Sequence, residues 1–368
     1  MTIERLQELR NMKNMNKMSL IDKSIEIVIV PNFGDVNAHQ DNVGIIIEEE
    51  TILKILSKRY KNVSITEVNS EEDLEQLVKR KPDLVFSGVK YFNFNNENIW
   101  LNDYLEMYDI PYIGSSREAL DNESDKSKAK KIVQQAKIKT ANFFITTPEE
   151  HQTELSIPIK FPLFIKPIRG GDSRGIDENS IVYDFVSFKA KVLDIKLKHN
   201  LPSLVETYLP GKEYSVGIFE DNTNGSIRAM PVEIIVKKNV NGHSILDFAT
   251  KKNDVEKVIA VTDTKIFDKL CKLAKGSFKA LGAKSLGRVD IKMNQRGTPH
   301  FIEANLMPGL RRGYLYRGCL FNLDMNYDEM ILFIAKNGLA SKVIKEDLST
   351  PNYTTKEIIE AMDRINAR

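Results

Sequence analysis

The sequence predicts an N-terminal α/β unit with a doubly wound parallel sheet, followed by two α+β units. Three patterns carry that expectation. Short apolar, β-branched runs alternate with helical spacing over residues 25–114, as parallel strands covered by helices require. From Lys160 onward the order becomes strand, glycine-rich turn, strand, helix, strand, which suits an antiparallel unit. Finally, "RVDIKMNQRGTPHFIEANLMPGL" (Arg288 to Leu310) reads as two alternating runs around a polar turn.

Taken in order, "IEIVIV" at Ile25 to Val30 is a buried strand that stops at Pro31. "EEETILKILSKRY" has helical spacing, "VSITEV" is a strand, "SEEDLEQLVKRK" is a helix opened by a Ser/Glu capping signal, and "PDLVFSGV" is a further strand. "SDKSKAKKIVQQAKI" is a helix with Ser124 as its expected N-cap. "KFPLFIKPI", "SIVYDF" and "SLVETYL" are strands around the tip "RGGDSRG", with "VSFKAKVLDIKLKHN" as the intervening helix. "GKEYSVGIFE" and "SIRAMPVEIIV" are strands joined at "DNTNG", and "FDKLCKLAKGSFKALGA" is an amphipathic helix ended by glycine. The expected boundaries are a polar leader (1–24), the α/β unit (25–118), a central α+β unit (119–206), a C-terminal α+β unit (207–345) and a surface helix (346–368).

Composition narrows the function classes. The 368 residues hold 53 Lys and Arg against 51 Asp and Glu, so no global field draws in nucleic acid or an anionic membrane. The two cysteines, Cys271 and Cys319, fall in no CxxC or Cys/His cluster, which argues against a disulfide framework or structural zinc. With no secretory h-region and no long apolar run, the expected location is the cytoplasm.

The hairpin at Arg288 carries the chemistry. If Arg296 and Gly297 form the turn centre, Asp290 faces Glu303 and Arg288 faces Asn305, all on one side of the sheet, with Val289, Ile302 and Ala304 on the other. Opposed carboxylates repel unless a cation lies between them, and an all-oxygen donor set suits a hard ion such as Mg²⁺. A solvated acidic hairpin is the other open reading. In "KPIRGGDSRG", Lys166 on a strand precedes Gly170, Gly171 and Gly175, which free the backbone to approach an anion. A plain turn is the alternative there, as solvated surface charge is for Lys126, Lys251, Glu206 and Glu213.

In this order, "KPDLVFSG", "DIPYIGSSREALDNESDKSKAK", "FIKPIRGGDSRGI", "LVETYLPGKEYSV", "LDFATKK" and "LGRVDIKMNQRGTPHFIEANLMPGL" resemble the ATP-grasp superfamily, and within it the D-alanine:D-alanine ligase family. The likeness covers about Ile25 to Ala340. It implies a three-domain ATP-grasp fold that encloses ATP, and an ATP-dependent carboxylate-amine ligase. In that chemistry a carboxylate is phosphorylated to an acyl phosphate, an amine displaces phosphate, and ADP is released. By resemblance, Lys126 and Lys166 meet the nucleotide phosphates under a flap of Gly170, Gly171, Asp172, Ser173 and Gly175. Glu206 and Leu209 take the adenine, Glu213 the ribose, and Lys251 the γ-phosphate. Asp290, Glu303 and Asn305 hold two Mg²⁺ ions, for which Mn²⁺ substitutes. Arg288 and the amide near Gly309 face the reacting carbonyl. The implied partners are a small-molecule carboxylate and an amine, with a homodimer as the assembly the family suggests.

The sequence also departs from that family. The usual "GG.S.E..vS" segment is replaced by "PNFGDVNAHQDNVG", the first flap serine by Asp172, and the tyrosine after the loop lysine by Lys252. Beyond the hairpin, "LRRGYLYRGC" brings Arg311, Arg312, Tyr314 and Arg317 where a small polar run is usual. Arginine suits carboxylates, so Arg311 or Arg312, with Lys252 and Tyr314 nearby, is expected to bind an amino-acid substrate. D-alanine ligation proper and a nucleotide-binding protein without ligase chemistry remain alternatives.

Overall fold

A computed structural model describes residues 19–30, 43–45, 47–171, 173–238, 242–246 and 255–348. The first eighteen residues of the leader, Asp172, Lys251, Lys252, most of the "PNFGDVNAHQDNVG" segment and residues 349–368 lie outside the described set.

The N-terminal unit begins with β1 (Ile21–Ile29), which starts inside the expected leader, and continues through α1 (Glu49–Leu56), β2 (Tyr60–Glu67), α2 (Glu71–Arg80) and β3 (Leu84–Ser87). The strands form a parallel sheet in the order β2-β1-β3. Alternation along β1 sends Ile25 and Ile27 to one face and Val28 to the other, so both faces are buried, each in its own core. Helix α2 opens with a capping box on Ser70, but Asp73 rather than a glutamate closes it. A hairpin of β4 (Tyr91–Phe94) and β5 (Glu97–Trp100), which the sequence reading did not foresee, leads into α3 (Leu101–Met107).

Next come α4 (Arg117–Ser124) and α5 (Lys126–Gln135). Ser124 does not cap α5: it ends α4 and donates to the Leu120 carbonyl, while the Asp125 carboxylate accepts from the amides of Ser127 and Lys128. A carboxylate is the better acceptor for the exposed amides at a helix start. The central sheet comprises β6 (Phe143–Thr146), β7 (Leu163–Pro167), the two-residue β8 (Ile181–Val182) and, after α6 (Phe185–His199), β9 (Ser203–Thr207). It is antiparallel in the order β6-β9-β7-β8 and has a small core of its own against α6.

The third sheet holds β10 (Glu213–Glu220), β11 (Ile227–Ile235), β12 (Lys257–Ala260) and, after α7 (Thr264–Ala280), β13 (Leu286–Met293) and β14 (Pro299–Asn305), ordered β12-β11-β10-β13-β14. Val216, Val289 and Phe301 on one face pack with Leu270 and Phe278 of α7 and with Ala119, Leu120, Ala129 and Val133 of α4 and α5. Residues 117–135, expected to open the central unit, therefore lie in the core of the third. Two further helices, α8 (Tyr314–Leu323) and α9 (Tyr327–Leu348), share one core with Phe219, Met230 and Leu286 of this sheet and with β1, β3 and α1. The boundary expected at 345 falls inside α9.

Candidate active site

The β13–β14 hairpin is the floor of the site. Arg288 pairs with Asn305 and Asp290 with Glu303, as expected, but the route differs. At the tip the pairs are Lys292 with His300 and Met293 with Pro299, so the turn is centred on Arg296 rather than between Arg296 and Gly297, and a bulge at Ile302 restores the register. The same bulge turns Ile302 toward the site cavity instead of the apolar side, so that part of the expectation is corrected.

The opposed carboxylates already have protein cations. The Arg288 guanidinium donates to both oxygens of Asp290, each at 3.0 Å, and the Ser215 hydroxyl adds a bond of 2.7 Å from β10. Lys126 lies 4.0 Å from Glu303. Burial pulls the Arg288 pKa down, but Asp290 outweighs it and holds the guanidinium charged. Its face stacks on the Tyr314 ring at 5.4 Å, and the Tyr314 hydroxyl donates to Glu256.

Three lysines converge above this floor. Lys126 donates to the Gly170 carbonyl at 2.5 Å, tying the start of α5 to the glycine flap. Lys166 on β7 meets Glu206 on β9 at 2.9 Å, and Lys130, one turn beyond Lys126, meets the other Glu206 oxygen. The sequence reading treated this lysine-rich helix as solvated and passed over Lys130, which is 0% exposed. The i, i+4 spacing from Lys126 was the available signal, because it puts both ammonium groups on one helix face. Burial lowers the pKa of Lys126 and Lys130, whereas Lys166 ends above its ordinary value because Glu206 and Glu303 outweigh its burial.

Lys166, Ser173, Glu206, Glu213, Asp290 and Glu303 line one cavity, with Leu209 and Ile302 among its apolar walls. It adjoins a wider, open cavity of about 970 Å³ past Tyr208, Leu209 and Glu213. Glu213 is paired with Lys292 at 2.7 Å. In the flap, Gly170 has φ of +101° and Gly175 of +72°, conformations that disfavour any side chain. Gly309, Arg311 and Arg312 are exposed and line neither cavity; Arg312 stacks on Tyr327 at 4.3 Å. Asp172, Lys251 and Lys252 are outside the described residues.

Among the described residues, no group of three or more His, Cys, Asp or Glu side chains could hold a metal. Asp290, Glu303 and the Asn305 amide on one hairpin face instead make a sparse oxygen set, the kind Mg²⁺ uses when substrate phosphates complete its shell. The residues fit that ion.

A family profile described as D-ala D-ala ligase C-terminus matches residues 132–335. The D-alanine–D-alanine ligase of Aquifex aeolicus (strain VF5) is 30% identical over 275 residues, covering 73% of this chain and 88% of the relative. D-alanine–D-alanine ligase B of Clostridium perfringens (strain 13 / Type A) is 25% identical over 297 residues, covering 80% and 93%. The fold also matches two solved structures. One is D-alanine–D-alanine ligase from Bacillus anthracis complexed with ATP, with TM-score 0.64, 20% identity and coverage of 88% of this chain and 99% of that one. The other is the VanG D-Ala:D-Ser ligase from Enterococcus faecalis, with TM-score 0.63, 18% identity and coverage of 86% and 100%. With a matching profile over more than half its length, relatives matched over most of theirs and solved structures of similar fold, this chain belongs to the D-alanine:D-alanine ligase family of ATP-grasp carboxylate-amine ligases.

Proposed function

We propose that this ATP-dependent ligase joins two amino-acid-like substrates in a site whose acceptor side has been rebuilt. The observation that carries the reading is the single cavity onto which Lys166, Ser173, Glu206, Glu213, Asp290 and Glu303 open. In this reading Glu206 and Leu209 hold the adenine and Glu213 the ribose. Lys126, Lys166, Lys251 and the flap of Gly170, Gly171, Asp172, Ser173 and Gly175 neutralise and enclose the phosphates. Asp290, Glu303 and Asn305 would hold Mg²⁺, which when bound offsets negative charge on the phosphoryl group in transfer. Arg288 and the amide near Gly309 stabilise the oxyanion formed when the amine attacks the activated carbonyl. Little covalent help from the protein is needed, because positioning and charge compensation lower the barrier.

For the acceptor, Arg311 or Arg312, with Lys252 and Tyr314, is proposed to bind an amino-acid carboxylate in place of the small polar run usual in the family. The guanidinium of Arg311 is exposed and has the fork geometry for that task. The relatives are named for D-alanine, which makes it the first amino acid to test on both sides.

The test is ADP and phosphate release screened over single amino acids and amino-acid pairs, in L and D forms, with mass detection of products. Release that requires a pair, with a dipeptide mass, supports the reading. Nucleotide binding without turnover, or a stable phosphorylated product, would sink it. An Arg311→Ala enzyme with unchanged acceptor KM would remove Arg311 from the acceptor site. A homodimer in a reducing cytoplasm is the accompanying proposal, checked by light scattering of the purified protein. Among the described residues, no helix is long and apolar enough to cross a membrane.

A further inference from the structure

Lys130 is fully buried, and the proposed chemistry gives it no task. Its ammonium meets one carboxylate oxygen of Glu206 and donates to Thr140 Oγ1 at 2.6 Å. Thr140 in turn donates to the Phe301 carbonyl at 2.8 Å, which anchors the lysine between α5 and β14. Lys166 takes the other Glu206 oxygen at 2.9 Å. Each oxygen of one buried carboxylate therefore has its own cation.

A single ion pair with Lys166 would already balance the charge of Glu206. Lys130 sets a second buried cation on the same carboxylate, a desolvation cost that packing alone does not explain. Its effect falls on Glu206. Burial by itself raises a carboxyl pKa, but Lys130 and then Lys166 outweigh it and hold Glu206 below its ordinary value. An ionised carboxylate accepts hydrogen bonds and cannot donate one. Held on both oxygens, it also cannot turn. Against a purine it would welcome a 6-amino edge and repel a 6-oxo edge.

We infer that Lys130 is a positioning residue that fixes Glu206 as an ionised acceptor and so makes the site select a 6-aminopurine nucleotide over a 6-oxopurine one. The inference rests on the reading that Glu206 faces the base. Without Lys130 one oxygen loses its cation and the carboxyl shifts back toward the neutral acid, whose O–H can donate to a 6-oxo group. The 6-oxopurine nucleotide then gains rather than both nucleotides losing, which a merely structural role would not produce.

The experiment compares ATP with ITP, measuring kcat/KM for each in the full-length enzyme and in K130M, E206Q and the double variant. Both single variants are expected to lower the ATP/ITP ratio by about tenfold or more, the scale of one hydrogen bond to a charged group. In K130M the ITP value itself rises, and the double variant goes no further than E206Q, because both changes act through one carboxylate. An unchanged ratio in K130M beside a shifted one in E206Q would overturn the role of Lys130 and leave Glu206 at the base. Unchanged ratios in both would overturn the placement of Glu206 as well. Should K130M not fold, K130Q keeps a donor of similar length without the charge; its ratio is expected to fall in the same way, and an unchanged ratio there would equally refute the inference.

Discussion

The three glycines of the flap are there for different physical reasons, and replacing each by alanine should separate strain from crowding. At Gly171 an added Cβ meets no atom of the described residues within 4 Å, and no positive φ constrains it. Gly171→Ala should therefore change stability by no more than about 0.5 kcal/mol. At Gly170 the space is equally open but φ is +101°, so Gly170→Ala carries backbone strain alone, about 1–3 kcal/mol. At Gly175 φ is +72° and the new methyl would lie 2.5 Å from Pro167 Cγ and 2.9 Å from His199 Nε2. Crowding adds about 1–3 kcal/mol to the strain there. Because Pro167 follows Lys166 on β7, the displacement also reaches the cavity that Lys166 lines. Thermal unfolding with and without ATP, together with KM for ATP, should rank Gly171→Ala, Gly170→Ala and Gly175→Ala in rising order of damage. Equal effects at Gly171 and Gly175, or a neutral Gly175→Ala, would refute the geometric account.

Other consequences can be checked separately. Asn337 on α9 accepts from the Asn222 amide at 2.8 Å and donates to the Glu220 carbonyl at 2.7 Å, so Asn337→Leu orphans two backbone groups. A loss of about 2–5 kcal/mol is expected in urea unfolding, and a loss under about 1 kcal/mol would show that water replaces the side chain. Glu206 titrates below its unfolded value, so between the two values the unfolded chain binds more protons and stability falls as pH falls. The melting temperature of the wild type should accordingly drop as pH falls from about 5 through the depressed folded value. In E206Q that acid-side slope should flatten, and a slope equal to the wild type would place it elsewhere. Finally, the buried Cys319 thiol is pushed up to about 12 by burial, while Cys271 is only half-buried. Iodoacetamide on the native protein at pH 8 should leave Cys319 unmodified and reach Cys271 slowly, as peptide mapping would show; the reverse order would contradict the packing.

Much of this architecture can be read from the order of residues, because it depends on local periods. Alternation at Ile25, Ile27 and Val28 is enough to place a doubly covered strand. The polar face shared by Arg288, Asp290, Glu303 and Asn305 follows from the period of two and survives in the structure only because the Ile302 bulge offsets a pairing register that differs by one residue at the turn. Two such errors cancel without leaving a trace in the sequence. Lys130 was hidden for another reason: a lysine among lysines looks solvated, and only the fold places Glu206 and Thr140 beside it. The choice of Asp125 over Ser124 as the cap turned on where α4 stops, which two adjacent capping residues cannot reveal. The docking of α4 and α5 against the third sheet is likewise a long-range choice that a helical period does not encode.

The distribution of the cores has a mechanical consequence. The N-terminal and C-terminal sheets are fused through α8 and α9, whereas the central sheet keeps a private core against α6. Any widening of the cleft that leaves every core intact must swing the central sheet as the lever, with the fused pair as its anvil. The pivots are the chain crossings between α5 and β6 and between β9 and β10. Glu206 stands beside the second pivot and grips Lys130 on the anvil and Lys166 on the lever, so the carboxylate that faces the proposed base is also one clasp between lever and anvil.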